Sequence, residues 1–457
     1  MSSSSSTPEP TPGSRPDPRE VVTTKALTVW LAALAVYIVA ILGRTSFGVA
    51  GVDAIERFDV DASRIAVFTA VQIGVYALAQ IPMGLLIDRF GPRKMLVVGA
   101  LIMAAGQTIL GLTTSYWVAI GARVLIGLGD ATGFLSVMRI LPYWFPMKKT
   151  PLFTQLTSAA GQIGQFLSAV PFLWLLNTSG WTVAFLSLGA VGVLVCLAAI
   201  VAVSDAPEGS PGEAMENAAR QRAERMSLSS SLKTVFSSAV CWQAFFLHWV
   251  SMVYMLVFSL LWGVPLMTLG MGLSEAVAGI VLVVNTAVTI LAGPLMGMVS
   301  SRAGQRRELA GIFFSLVHTV GWVVFFWSPT PRTLAAVIVM QLFIGILTPA
   351  ANYGFDSVRE KLPRAVVATG TGMANMGGFI AGMLAAQLMG LLLDYSSHGL
   401  EYQWADFRFA WLAVFVVWGI GMIGLITSRV ILKRGEAARA SSGPVVIVDE
   451  QEPRHDD

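Results

Sequence analysis

The sequence predicts an all-α integral membrane protein whose twelve transmembrane helices form two pseudo-symmetric six-helix halves. Of its 457 residues, 55% are hydrophobic and only 12% are charged, and the mean hydropathy is +0.69. Soluble domains carry about 25% charged residues, so most of this chain is expected to lie in lipid. Twelve apolar runs approach or exceed the ~20 helical residues that cross a bilayer. A motif that occurs twice along the chain indicates the two halves.

The first copy of this motif, at residues 84–94, reads Gly-Leu-Leu-Ile-Asp-Arg-Phe-Gly-Pro-Arg-Lys and interrupts two apolar runs. Residues 297–307 repeat its glycines and bases 213 positions later, and the same shift aligns residues 164–166 with 377–379. Two elements at one offset indicate a duplicated half. Membrane proteins built from two such halves are most often secondary transporters whose binding site lies between the halves.

The first copy resembles the loop 2–3 signature of the major facilitator superfamily, Gly-x-x-x-Asp-Arg-x-Gly-x-Arg-Lys, and the resemblance extends over about residues 25–433. It implies a twelve-helix transporter that alternates between inward- and outward-open states. It also implies that Asp88 meets the start of span 11, where free N–H groups favour an anion, and so stabilises the outward-open state. Ser301 stands at the matching position, which predicts a one-sided latch. The predicted latch residues are Gly84, Asp88, Arg89, Gly91, Arg93, Lys94, Arg302 and Arg306.

The apolar runs divide the chain into five segments. We predict a disordered cytoplasmic tail at residues 1–24, an N-terminal half at 25–204 and a cytoplasmic linker at 205–234. A C-terminal half at 235–431 and a second disordered cytoplasmic tail at 432–457 follow. The predicted spans are residues 26–52, 65–87, 95–113, 117–142, 153–176, 181–203, 235–267, 276–299, 309–327, 334–354, 365–393 and 409–431.

The basic residues indicate the orientation, because Lys and Arg beside spans mark the cytoplasmic side. Of the 30 Lys and Arg residues, 23 fall in the tails, the linker, alternate loops and the span ends that adjoin them, four fall in the other loops, and three lie deeper within spans. This predicts that both termini are cytoplasmic. The N-terminal tail lacks a basic region that leads into a short apolar stretch, so we expect no cleaved signal peptide. The composition is typical of a multi-pass protein of a cell (inner) membrane.

Three of the ionisable residues within predicted spans form a candidate site, at depths where a charge costs at least about 2.5–3.5 kcal/mol. Arg44 lies late in span 1, and Arg123 and Asp130 lie in span 4. Seven residues put Arg123 and Asp130 on one helix face about 10.5 Å apart, too far for a direct pair. We expect all three to face a central cavity, with Asp130 as the proton-coupling residue and a net positive charge that favours an anion. The alternative is a structural ion cluster that joins spans 1 and 4.

Further polar residues extend this candidate site. Arg123 opens an Arg-x-x-x-Gly-x-Gly pattern that resembles the superfamily's span 4 motif, which the resemblance links to proton coupling. Gln162 and Asn375, related by the same 213-residue shift, are candidate substrate contacts. Arg139, in span 4 near its cytoplasmic end, is expected to snorkel to the interface. His248 is expected to be a packing histidine, although a substrate contact stays open.

These features predict proton-coupled uptake of a small organic anion by alternating access. The alternatives are a drug/proton antiporter, whose Gly-Pro mark in span 5 is missing, and a transport-inactive receptor. No nucleophile–base set, metal spacing or phosphate loop is recognisable, so we predict neither an enzyme nor a metal site nor direct ATP drive. The expected partners are the small anionic substrate and the lipid bilayer, without nucleic acid. We expect a monomer that needs no cofactor beyond the proton gradient.

Overall fold

The computed structural model describes residues 19–60 and 62–441, and its regular structure there is helical throughout. The predicted tails at residues 1–18 and 442–457 lie outside the described part of the chain. Residues 19–23 form a turn and an extended stretch, and the side chain of Thr23 then caps the first helix by accepting a hydrogen bond from the N–H of Ala26.

The first half contains seven helices, because the short α2 follows the first span. A π-helical turn, Ser168–Phe172, joins α6 to α7. Two further helices, α8 and α9, form the linker. The bounds are α1 Thr24–Val49, α2 Gly51–Phe58, α3 Ala62–Phe90, α4 Pro92–Leu112, α5 Tyr116–Trp144, α6 Thr150–Leu167, α7 Leu173–Ala202, α8 Pro211–Arg225 and α9 Leu228–Phe236.

The second half is less regular. π-Helical turns flank α11, and a 3-10 segment, Thr348–Asn352, interrupts the tenth span between α14 and α15. Two more 3-10 turns, Gly304–Arg306 and Arg364–Val366, precede α13 and α16. The bounds are α10 Ala239–Val257, α11 Gly263–Pro265, α12 Glu275–Ala303, α13 Arg307–Phe326, α14 Leu334–Leu347, α15 Tyr353–Lys361, α16 Val367–Ser397 and α17 Trp404–Ser441.

Ten continuous helical segments of the described chain are long and apolar enough to cross a bilayer. Two of them, Thr150–Ala202 and Glu275–Phe326, have 53 and 52 residues. As one straight helix at 1.5 Å per residue, each would be about 80 Å long, more than twice the ~30 Å of the hydrocarbon core. Each contains a break at a glycine of positive φ, 79° at Gly180 and 49° at Gly304, a conformation that glycine adopts without strain. Twelve crossings result, and the predicted fold class is confirmed.

The two halves meet along two helix pairs, α3 with α16 and α6 with α12. The repeated motif supplies one close contact in each pair. A Cβ at Gly84 would lie 2.6 Å from the Cα of Thr369, and a Cβ at Gly297 would lie 2.9 Å from the Cα of Leu152. Only glycine permits this approach of backbones. The two motif glycines thus occupy equivalent places in the two halves.

We call the end of the bundle that carries residues 91–94, 148–149 and 304–307 the basic end. The linker helices lie at this end too, since Arg89 donates a hydrogen bond to the carbonyl of Met226 between α8 and α9. The last helix, α17, continues to Ser441, so the predicted disorder is wrong for residues 432–441. Glu436 of this extension pairs with Lys361 at the end of α15, and it also pairs with Lys433 within α17.

Candidate functional site

A cavity of about 350 Å³ lies between the two halves. Helices α1, α3, α5 and α6 line it from the first half, and α10, α12, the broken tenth span and α16 line it from the second half. Among the described residues of its wall, Arg44 and Arg123 are the only side chains with a permanent charge. Both come from the first half. The cavity is therefore positive on one side and uncharged on the other.

Arg44 forms a bidentate ion pair with Asp130. Its Nε lies 2.6 Å from Asp130 Oδ2 and its Nη2 lies 3.0 Å from Oδ1, and the guanidinium carbon is 4.1 Å from the centre of the Tyr76 ring. The Arg44 side chain is 17% exposed, whereas that of Asp130 is 0% exposed. Arg44 thus lines the cavity, and Asp130 lies behind it. The expectation that all three charged side chains face the cavity fails for Asp130, because Arg44 covers its carboxylate.

Arg123 lines the cavity without an acidic partner. Its Nη2 lies 3.4 Å from the carbonyl oxygen of Arg44, while its Nε and Nη1 have no hydrogen-bond partner among the described residues. The guanidinium carbon is 4.7 Å from the centre of the Phe47 ring. The residue is only 1% exposed. A buried guanidinium with two free N–H groups attracts a carboxylate or a sulfonate, whose oxygens match its planar donors.

Amide side chains continue the wall. Gln162 lines the cavity, as does Gln72, whose buried amide has no partner among the described residues. Asn375 also lines it and joins the two halves, since its Nδ2 donates to Tyr76 Oη at 3.0 Å and to Gln80 Oε1 at 2.9 Å. Gln162 and Asn375 therefore reach the same cavity from opposite halves.

The broken tenth span supplies the facing wall. The Nε2 of Gln155 donates to the carbonyl of Pro349 at 2.8 Å, and the Nδ2 of Asn352 donates to Gln155 Oε1 at 2.9 Å. His248 lines the cavity as well, and its Nδ1 lies 3.2 Å from the carbonyl oxygen of Ala351. Sequence reasoning did not find this wall, although the Thr-Pro sequence at residues 348–349 marks the break.

At the basic end, Asp88 caps the N-terminus of α16. Its carboxylate accepts hydrogen bonds from the N–H of Ala368 at 3.0 Å and from the N–H and hydroxyl of Thr369 at 2.9 and 2.7 Å. Asp88 is 1% exposed. A carboxylate at this place meets the free N–H groups and the positive end of the helix dipole. The bonds connect the first half directly to the second.

The other residues of the first motif copy face the linker. Gly91 has a φ of 86°, and the backbone N–H of Arg93 donates to Asp205 at the start of the linker at 2.8 Å. The guanidinium of Arg93 reaches the carbonyl of Ile200, and Lys94 is exposed. This copy therefore ties the loop to the linker as well as to α16.

In the second copy, Arg302 and Arg306 are exposed, whereas Arg307 is buried and pairs with Glu360 at 2.6 Å. The prediction of a one-sided latch is wrong, because Ser301 also bridges the halves by donating to the carbonyl of Lys148 at 2.9 Å. A hydroxyl makes this contact with a single neutral hydrogen bond, where Asp88 makes three charged ones.

Two buried charge clusters at the basic end were missed or misread from the sequence. Arg139 is 1% exposed and does not snorkel, because it lies 3.0 Å from Glu216 of α8 and 3.6 Å from Asp88. In the second half, Arg359 pairs with Asp356 at 2.8 Å and donates to Thr154 of the first half at 2.9 Å. The spacing of Asp356 and Arg359, one turn apart at the end of an apolar run, could have indicated this cluster.

Comparison with known proteins agrees with this architecture. The family model of the Major Facilitator Superfamily matches residues 33–386. A Cupriavidus necator protein named "Probable sulfoacetate transporter SauU" is 26% identical over 371 residues, which cover 78% of this chain and 85% of that protein. An Escherichia coli K12 protein named "Probable L-galactonate transporter" is 27% identical over 179 residues, or 39% of each chain.

A solved structure shows the same fold. The proton:xylose symporter XylE, bound to 6-bromo-6-deoxy-D-glucose, superposes with a TM-score of 0.66 over 90% of this chain and 96% of that one, at 14% identity. At this identity the likeness concerns the fold alone. The family match covers well over half of the chain. The chain therefore belongs to the Major Facilitator Superfamily, and it is a transporter rather than an enzyme.

Proposed function

We propose that this transporter takes up a small organic anion together with a proton. The observation that carries the proposal is Arg123, a buried cation in the cavity wall whose Nε and Nη1 have no partner among the described residues. A buried charge is unfavourable until it is paired, so this site favours an occupant that brings a carboxylate or a sulfonate. The two relatives named above support this choice, since sulfoacetate and galactonate are both anions at neutral pH.

The Arg44–Asp130 pair supports coupling to a proton. Both oxygens of Asp130 accept hydrogen bonds from Arg44, which stands between that carboxylate and the cavity. A proton on Asp130 would neutralise it and free Arg44 to bind the anion beside Arg123. Anion and proton would then bind together, and the net charge of the loaded cavity would equal that of the empty one. Asp130 and the acid group of the substrate thus compete for the guanidinium of Arg44, and this competition couples the binding of the anion to the binding of the proton.

The contacts between halves support alternating access. Asp88, Ser301 and Arg359 all bridge the two halves at the basic end, which is therefore closed. We assign this end to the cytoplasm of a cell inner membrane, since the basic loops gather there, and this makes the described state outward-facing. We assign transport to the monomer, because one chain supplies the whole cavity wall.

The test is uptake by proteoliposomes of a library of carboxylates and sulfonates, with and without an inward proton gradient. Wild type is measured beside Asp130→Asn and beside Arg302→Gln, which changes an exposed residue of the basic end. We expect gradient-driven accumulation of at least one anion in wild type and in Arg302→Gln. We expect none in Asp130→Asn. Accumulation of cationic drugs, with no response to any anion, would replace the proposal with drug/proton antiport.

A further inference from the structure

The cavity wall of the second half contains two buried polar groups that the fold leaves unpaired. Thr348 is 5% exposed and His248 is 3% exposed, and both line the cavity. Neither Thr348 Oγ1 nor His248 Nε2 has a hydrogen-bond partner among the described residues. Buried polar groups in folded proteins are nearly always satisfied, so an unpaired pair in one wall indicates a ligand group that completes it.

The backbone places both groups where transporters bind substrate. Thr348 begins the 3-10 segment that interrupts the tenth span, and broken helices between two halves form the substrate site of many secondary transporters. The same segment orients His248, because its Nδ1 lies 3.2 Å from the carbonyl oxygen of Ala351. A carbonyl only accepts, so Nδ1 carries the proton and Nε2 of the neutral ring is an acceptor.

The described wall that the second half contributes is polar but carries no charge. Among the described residues that line the cavity, the second half contributes no Lys, Arg, Asp or Glu. Both cations, Arg44 and Arg123, lie in the first half. A second carboxylate placed against the second half would lose its water without gaining a countercharge. A hydroxyl there would instead donate to His248 Nε2 and accept a hydrogen bond from the hydroxyl of Thr348.

We propose that the substrate is a monoanion with a hydroxyl group at a distance from its acid group. Arg123 and Arg44 bind the acid group, and His248 and Thr348 bind the hydroxyl. This assignment rests on the proposed function, because it requires that an anion binds at Arg123. The cavity of about 350 Å³ sets the size. A cavity of this volume lies in the usual range for small-molecule sites, about 300–1,000 Å³, and suits a small organic acid.

The selectivity follows from the same geometry. An analogue that lacks the hydroxyl leaves His248 Nε2 and Thr348 Oγ1 buried and unpaired. Sites built to bind a hydroxyl reject such analogues strongly for this reason. A dicarboxylate of equal length would place one carboxylate at Arg123 and Arg44. Its second carboxylate would lie against the second half, where it meets no cation.

The experiment measures binding to the purified protein by isothermal titration calorimetry. The probes are unsubstituted monocarboxylates, ω-hydroxy monocarboxylates and dicarboxylates of four and six carbons: butanoate, 4-hydroxybutanoate and succinate, then hexanoate, 6-hydroxyhexanoate and adipate. At one chain length at least, we expect the hydroxy acid to bind about tenfold or more tightly than the unsubstituted acid. The dicarboxylate should bind more weakly than the hydroxy acid.

Variants connect this preference to the two residues. Thr348→Val and His248→Phe should each weaken binding of the hydroxy acid by about three- to tenfold, the usual effect of one hydrogen bond, and leave the unsubstituted acid unchanged. The matched control is Thr289→Val, because Thr289 lines the same cavity but its hydroxyl already donates to the carbonyl of Asn285. If His248→Phe loses the unsubstituted acid too, His248→Gln, which keeps an acceptor, takes its place and should retain part of the preference.

The outcomes separate the two proposals. Equal binding of hydroxylated and unsubstituted acids, or tighter binding of a dicarboxylate, would overturn the hydroxyl assignment and leave anion transport standing. An unchanged preference in both Thr348→Val and His248→Phe would overturn it as well. If no carboxylate binds to wild type, or if Arg123→Gln leaves carboxylate binding unchanged, the anion proposal fails together with this one.

Discussion

Arg44 of α1 holds Asp130 of α5 by two hydrogen bonds, of 2.6 and 3.0 Å, and it stands between that carboxylate and the cavity. The Arg44 side chain is partly open to the cavity, whereas the Asp130 side chain is fully buried. An anion that enters the cavity therefore meets Arg44 while Asp130 still occupies its donors. The protonation of the acid and the binding of the substrate act on the same guanidinium.

Asp130→Asn should separate exchange from accumulation. The amide cannot release a proton, so we expect that the variant no longer accumulates substrate against a gradient. Exchange of internal for external substrate should continue, because Arg44 and Arg123 remain. The measurement is counterflow of labelled substrate beside gradient-driven uptake in the same proteoliposomes. Accumulation at the wild-type level would make Asp130 a structural residue of the α1–α5 contact.

Arg44→Gln should destabilise the protein more than the double substitution Arg44→Gln with Asp130→Asn. The single variant leaves Asp130 buried without its partner, which costs about 3–5 kcal/mol, whereas the double variant removes both charges. Thermal unfolding in detergent measures the order of stability. Equal stability of the two variants would show that Asp130 finds another partner or is already protonated.

Arg123→Gln should weaken substrate binding selectively. Loss of a charged hydrogen bond of about 1.5–3 kcal/mol corresponds to an increase of about 10- to 100-fold in the KM for the anion. Arg123→Lys should lie between this variant and wild type, since Lys keeps the charge but lacks the planar pair of donors. Arg302→Gln serves as the control. A KM that stays unchanged in Arg123→Gln would remove Arg123 from the binding site.

Asp88→Asn should open the basic end. The carboxylate caps α16 with three hydrogen bonds, and an amide at that place loses the charge and brings a donor to face the N–H groups. We expect the ratio of open to closed states to rise about 10- to 100-fold. Spin labels at the exposed positions Lys94 and Arg306, in a background that lacks both cysteines, would report the distance between the halves.

The control for this measurement is Asp394→Asn. Asp394 is exposed at the opposite end of α16, where its carboxylate accepts a hydrogen bond from Tyr402. Asp394→Asn should leave the distribution of distances between the two spin labels as in wild type. If Asp88→Asn also leaves it unchanged, the contact with α16 does not determine the conformational equilibrium.

Glu216→Gln should change how stability depends on pH. Burial raises the pKa of Glu216 above its ordinary value of 4.5, and the guanidinium of Arg139 only partly opposes this effect. The folded protein therefore binds this proton more tightly than the unfolded chain does. The stability that Glu216 contributes is complete below pH 4.5 and is lost as the pH rises through the raised pKa.

Gln cannot ionise, so the variant should match wild type near pH 4 and gain in relative stability as the pH rises. Melting temperatures of both proteins from pH 4 to pH 8 measure this difference. Glu224→Gln, an exposed change on the same helix, is the matched control for the loss of one carboxylate. A constant difference between Glu216→Gln and wild type across the range would contradict the raised pKa.

The sequence predicted the architecture well because membrane spans and a repeated motif are local signals. The apolar runs and the glycines of residues 84–94 and 297–307 can be read without knowledge of contacts. The ionisable residues Arg44, Arg123 and Asp130 stood out because charges within spans are rare. The sequence could not show that Arg44 covers Asp130, since that depends on how α1 packs against α5.

The second half was read poorly for a physical reason. Around the break at Thr348–Asn352 its part of the site is made of backbone carbonyls and neutral side chains, among them the Thr348 hydroxyl, the Asn352 amide and the His248 imidazole. Neutral groups stand out less in an apolar run than charges do. Glu216 was missed because it belongs to the linker, where acidic residues are common. Only the fold brings it to Arg139.

The close backbone contacts at Gly84 and Gly297 bear on the timing of transport. Attraction between packed atoms falls by a quarter to a half when they separate by 0.5–1 Å, so these contacts are either made or lost. Packed interfaces of this kind switch between discrete arrangements and do not deform gradually. Single-molecule recordings of the two halves should therefore show two distance levels with abrupt steps between them. Alanine at either glycine should shorten the dwell time in the closed level.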